Sequence, residues 1–202
     1  MKLHYIYRLL ADLLEYPTQG LVDKARECSE LLTSLDSEAA ARMKGFLSCV
    51  EATPTVHLQE AYTSAFDLQP VCHPYVGYQL LGESYKRAAF LVGLKEEYRR
   101  YGFSVENELP DHLPVLLRFL AALEERREGE SSRILVEICL IPAVGEMASA
   151  FAEKGNPYGE VIRSLLRTLQ VARERSAAPL YDGGPGEPSC PATTSTMRRQ
   201  SL

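Results

Sequence analysis

The chain reads as an all-α protein, a single-domain helical bundle. Apolar residues recur with a period near 3.6 in nearly every segment, strand-type alternation of Val, Ile and Thr is absent, and proline or glycine stands between successive periodic stretches. No repeat of fixed period is visible.

The elements follow in order. Leu3, Ile6, Leu9, Leu10, Leu13 and Leu14 form a first helical stripe that Pro17 ends, because proline lacks an amide donor and restricts the residue before it. A second helix is expected over about 21–35, and an alanine-rich third over about 37–50, before Thr53-Pro54 forces a turn. The fourth covers about 55–67. Two prolines, Pro70 and Pro74, keep the next stretch out of regular helix. A long helix is then expected from about 75 or 81 to 101, with Gly102 where a left-handed C-terminal cap is wanted. The next should run from Asp111 to Arg127 and close at Glu128-Gly129-Glu130-Ser131. Another, over about 132–154, contains Pro142 and should kink or split there, and Gly155-Asn156-Pro157 stops it and starts a last helix over about 157–175. From 176 to 202 the composition turns to Pro, Gly, Ser and Thr, which reads as a disordered polar tail behind a folded domain of residues 1–175.

Of the 202 residues, 46% are hydrophobic and 24% charged, the balance of a soluble globular protein, and the net charge of -5 argues against nucleic acid and for basic partners. His4, Arg8 and Asp12 interrupt the N-terminal apolar stretch, leaving no signal-peptide core, and no apolar run approaches the roughly 20 residues of a membrane span. The expected location is the cytoplasm, without membrane insertion. The five cysteines, at 28, 49, 72, 139 and 190, are scattered without a Cys-x-x-Cys pair, so they read as reduced structural thiols. Cys72 beside His73 has no matching second pair, and no metal is assigned.

The densest chemistry lies in Glu106-Asn107-Glu108-Leu109-Pro110-Asp111-His112-Leu113-Pro114. With Asp111 as N-cap, Pro114 falls in the first helical turn, where its missing amide costs little; Asp111 then accepts from the Leu113 amide and His112 projects from the first helical position. A plain cap needs only Asp111. Glu106, Glu108 and His112 add an acidic surface with one group titrating near neutrality, suited to proton transfer or to gripping a cationic peptide. Tyr62 and Phe66, four apart, share a helix face as a core stripe or a groove wall. Tyr75, Tyr78, Tyr85, Tyr98 and Tyr101 crowd one helical region, which suits recognition. Lys86 and Arg87 are expected on a solvated face or paired with Glu83. Lys95, Arg99 and Arg100 interleave with Glu96 and Glu97, so that face reads as near neutral and unlike a DNA-recognition helix.

Leu58-Gln59-Glu60-x-Tyr62-x-x-x-Phe66-Asp67, Gly82-Glu83-Ser84-x-x-Arg87 and above all Glu108-Leu109-Pro110-Asp111-His112-Leu113-Pro114 resemble, in order, the TorD/DmsD/NarJ family of redox-enzyme maturation chaperones, most closely its NarJ branch. The resemblance implies a non-catalytic protein without a bound cofactor of its own. It would hold the N-terminal leader of an apo molybdoenzyme catalytic subunit, that of respiratory nitrate reductase in the NarJ branch, during molybdenum cofactor insertion. Cofactor biosynthesis proteins are further implied partners. The leader helix would lie in a groove lined by Tyr62, Phe66, Tyr78 or Tyr85 and Leu113, with Glu108 and Asp111 holding its basic residues and Pro110 and His112 completing the lip. The Pro- and Tyr-rich stretch 70–78 departs from the better-known nitrate reductase chaperones, so a related molybdenum reductase or dehydrogenase is an alternative client. The rival class is a small-molecule enzyme using Glu108, Asp111 and His112 as acid and base.

Overall fold

The computed structural model describes residues 3–68, 70–152 and 155–177. In chain order the helices are α1 (Leu3–Leu13), α2 (Leu21–Thr33), α3 (Ser37–Ala52), α4 (Thr55–Phe66), α5 (Val76–Leu81), α6 (Tyr85–Arg100), α7 (Leu113–Arg126), α8 (Gly129–Ile134), α9 (Ile141–Ala150) and α10 (Tyr158–Ala177), with a π-helical segment, Leu135–Leu140, between α8 and α9. Among the described residues no strand forms beyond one isolated bridge, and no helix is long and apolar enough to cross a membrane. The all-helical expectation is met.

The core is built by the stripes that the periodicity marks. α1 packs on α7 and α2, α2 on α3, and α10 on α3 and α9. Ile6, Tyr7, Leu10 and Leu13 meet Leu113, Leu116, Leu117 and Leu120 in one cluster, each at most 1% exposed. Burying one such side chain stabilises by roughly 1.5–3 kcal/mol, so this seam, rather than local propensity, holds the two helices. Asp36 caps α3 by accepting from the amides of Glu38 and Ala39, both at 3.0 Å, and also receives Arg167 of α10 at 2.9 Å.

Three boundaries differ from expectation. The single helix expected over 75–101 is two, because Gly82 adopts a left-handed φ of 62° and Ser84 then caps α6 by accepting from the Arg87 amide. α7 begins at Leu113 rather than Asp111, with Pro114 in its first turn as expected. α7 ends at Arg127 as expected, there at a φ of 59°, but the next helix, α8, starts at Gly129 rather than at 132. The split expected at Pro142 is met: ahead of it the chain widens into the π segment, because proline has no amide to continue the i→i−4 ladder. At the C-terminus Ser176 and Ala177 extend α10, and the tail expected over 176–202 otherwise lies outside the described residues.

α6 is the least embedded long helix. Only Leu94 and Tyr98 are buried along its 16 residues, and its main helical neighbour is the six-residue α5. α5 itself passes close to the segment before α7. A Cβ built on Gly77 would stand 2.7 Å from Asp111 Oδ2 and 2.9 Å from the Phe90 ring, so only glycine permits the approach. Gly77→Ala should lower stability by about 1–3 kcal/mol, read as a drop in the urea midpoint with unchanged slope.

Candidate peptide-binding site

Pro70 and Pro74 bias their neighbours toward extended backbone, and residues 74–76 run antiparallel to 111–113. Val76 N donates to Asp111 O and Leu113 N donates to Pro74 O, both at 2.8 Å. The Leu113 amide, an orphan donor at the start of α7, is therefore satisfied by the 74–76 segment and not by the Asp111 side chain. His112 takes the N-cap position without a side-chain cap bond.

Asp111 thus does not cap the helix. Its carboxylate, 0% exposed, receives Arg87 Nε at 2.9 Å on Oδ2 and Nη2 at 3.3 Å on Oδ1. This two-point geometry matches the guanidinium fork and satisfies both oxygens in the interior. Arg87 does not lie on a solvated face or pair with Glu83. Its side chain is 17% exposed and its guanidinium sits 5.3 Å from the Tyr75 ring centroid and 5.8 Å from that of Tyr78.

Around this pair the loop is pinned on both sides. The Tyr98 hydroxyl donates to Pro110 O at 2.6 Å, and Asn107 takes a left-handed φ of 60° that turns the chain toward Glu108. Glu108 Oε1 accepts from the Leu109 amide at 2.9 Å and from the Tyr75 hydroxyl at 3.3 Å. The Tyr75 ring packs on His112 at 5.4 Å between centroids. His112 is buried, its Nδ1 has no hydrogen-bond partner, and the Glu108 carboxylate stands 3.9 Å away. Burial lowers the His112 pKa below its ordinary 6.5; Arg118 adds to this, while Glu108, Glu15 and Asp111 oppose it.

Between this loop and α6 lies an open cleft of about 510 Å³, lined by Lys95, Tyr98 and Arg99 of α6 and by residues 102–105 and 108–110 of the loop. Its lining includes both apolar and charged groups, and Leu109, 43% exposed, is its most accessible large apolar side chain.

The residues expected to bind peptide separate into three groups. Glu108 and Pro110 line the cleft. Asp111, His112 and Leu113 are not among its lining residues, and Asp111 and Leu113 are no more than 1% exposed. Phe66 is likewise interior: with Tyr62 it joins Phe46, Phe151 and Tyr158 in an aromatic cluster with centroid spacings of 5.2–5.9 Å. Tyr62 is half-buried there, and burial, then Glu15 and Glu108, raise its hydroxyl pKa. Tyr78 is half-buried against His73 and Arg87, whereas Tyr85 is 81% exposed at the start of α6. Sequence reasoning missed Gly77 as the point of close approach and Arg87 as the counter-ion, although the Glu-Ser-x-x-Arg spacing had marked Arg87 as belonging to the resemblance.

Burial pushes the Cys28 and Cys72 thiols up to about 12, far from a reactive thiolate, and no group of three potential metal ligands occurs among the described residues.

Residues 30–160 match the family described as nitrate reductase delta subunit. The chain belongs to this family. A Bacillus subtilis (strain 168) protein assigned as a nitrate reductase molybdenum cofactor assembly chaperone, NarJ, is 30% identical over 81% of this chain and 88% of its own length. The Escherichia coli (strain K12) nitrate reductase molybdenum cofactor assembly chaperone NarJ is 25% identical over 81% of this chain and 69% of its own. A crystal structure assigned as a redox enzyme maturation protein from Archaeoglobus fulgidus superimposes with a TM-score of 0.56 at 26% identity, covering 84% of this chain and 94% of that one. In this delta-subunit-family chain the Glu108–Leu113 segment that carried the resemblance lies within the matched region.

Two outcomes follow. Arg87→Ala leaves the Asp111 carboxylate buried and unpaired and should destabilise by about 3–5 kcal/mol in urea unfolding, whereas Asp111→Asn, which keeps a hydrogen-bonding partner for Arg87, should cost less. For His112, the unfolded chain takes up the proton before the fold does. Its contribution to stability is therefore present above pH 6.5 and declines as pH falls from 6.5 toward the lowered folded-state pKa. His112→Asn should flatten that part of the stability-pH curve; an unchanged slope would contradict it.

Proposed function

We propose that this protein is an assembly chaperone for a molybdenum enzyme, respiratory nitrate reductase, that holds the N-terminal leader of the apo catalytic subunit in the cytoplasm while the molybdenum cofactor is inserted. The observation that carries the reading is the 510 Å³ cleft beside the Glu108–Pro110 loop, which is open, partly apolar and edged by charge. Its relatives from Bacillus subtilis and Escherichia coli are named as nitrate reductase molybdenum cofactor assembly chaperones, and family membership supports the same role here. Proteins that deliver the cofactor form the second partner class.

Acid-base catalysis by Glu108, Asp111 and His112 is disfavoured by their surroundings. Both Asp111 oxygens are taken by Arg87, and His112 is sealed behind Tyr75. A general base needs an open path to the proton it removes.

In the chaperone reading, Leu109 and Phe103 receive apolar side chains of the leader and Glu108 receives a basic one. The test is calorimetric titration of a peptide comprising the first 30 or so residues of the nitrate reductase catalytic subunit from the same genome, with the leader of another molybdoenzyme as comparison. Leu109→Ser should weaken binding of the nitrate reductase leader about fivefold to thirtyfold through lost apolar contact, with the melting temperature unchanged. Failure of that leader to bind the wild type, or tighter binding of the comparison leader, would overturn the assignment of client.

A further inference from the structure

In linear order the charges of α6 seem to cancel, but the helix sorts them. Lys95, Tyr98, Arg99 and Gly102 stand at i, i+3, i+4 and i+7, one continuous face, and all four line the cleft. Glu97 belongs to another face, where it pairs with Arg100 at 3.7 Å, and neither Glu96 nor Glu97 lines the cleft. Neither Lys95 nor Arg99 forms an ion pair among the described residues. The near-neutral face expected from the sequence is therefore corrected: in a chain of net charge -5, two unpaired cations one turn apart face the same cleft.

The opposite wall differs. There the lining groups are Glu108, Leu109 and Pro110, together with Phe103 and Val105. The cleft is therefore bipolar: cationic along α6 and acidic at the loop, with apolar lining from Phe103, Val105, Leu109 and Pro110.

We propose that the client segment held here carries a carboxylate that Lys95 and Arg99 receive, so that the cleft reads an acidic residue as well as basic and apolar ones and thereby sets the direction in which the segment lies. The inference rests on the peptide-holding reading above. Cβ atoms four apart on a helix are about 5–6 Å from one another, close enough for both side chains to converge on one carboxylate, with the guanidinium able to bind it at two points. A segment docked in reverse would bring its carboxylate to Glu108 and its basic residue to Lys95 and Arg99, placing like charges together at both ends.

The test uses the full chain. The nitrate reductase leader peptide, and a version with every Asp and Glu changed to Asn and Gln, are titrated into wild type and into the Lys95→Gln/Arg99→Gln double variant, whose exposed positions leave the melting temperature in place. Neutralising the peptide should weaken binding to wild type about fivefold to twentyfold, and the double variant should bind the native peptide that much more weakly while no longer distinguishing the two peptides. The salt dependence of binding should become shallower in the variant. If the native leader binds wild type and double variant equally, or wild type binds both peptides equally, the carboxylate-reading proposal fails while the leader-holding function stands. If the native leader does not bind wild type at all, both fail.

Discussion

The buried pair of Arg87 and Asp111 is the constraint on which the candidate site depends. α6 gives the interior little apolar surface, with Leu94 and Tyr98 its only buried residues, so hydrophobic burial alone does not determine where it lies. A guanidinium fixed at two points on a fully buried carboxylate does. Removing two charges from water is costly, and such a pair is a weak source of net stability compared with packed apolar groups. Its value here is positional. It ties the first turn of α6 to Asp111, two residues before α7, and Gly77 clears the space in which the two meet.

From that tie the surface follows by short steps. The Asp111 carbonyl also accepts from the Val76 amide, while the Leu113 amide donates to the Pro74 carbonyl, so the 74–76 and 111–113 segments are locked together from both sides. Pro110 is held by Tyr98, and Glu108 by Tyr75 and by the Leu109 amide. The loop therefore stands away from α6 at a set distance, and the cleft is the space between them. His112 is sealed into the same lock as a neutral ring against Tyr75, which makes it part of the support rather than of the contact surface.

Much of this was legible in the amino-acid order, and the losses have physical causes. Helix periods, the Pro17 stop and the Gly102 cap depend on neighbours in sequence, and these survived. Asp111 was misread because an acidic residue three positions before Pro114 has the local form of an N-cap; its true partner lies 24 residues upstream, beyond any local rule. Phe66 and Leu113 looked available because apolar periodicity marks a face as buried without saying whether by core or by partner. Lys95 and Arg99 seemed neutralised because linear interleaving with Glu96 and Glu97 is not adjacency on a helix. The split at Gly82 was hidden because the apolar pattern resumes in phase on both sides of it.

Hydrogen exchange compared between wild type and a size-matched Arg87→Met variant tests the central claim most directly. The amides of Val76 and Leu113, together with those of residues 103–112, should lose protection in the variant while α1, α2, α3 and α10 keep theirs, since the pair holds the loop and not the main seam. Protection retained in residues 103–113, or lost evenly across all helices, would contradict the account.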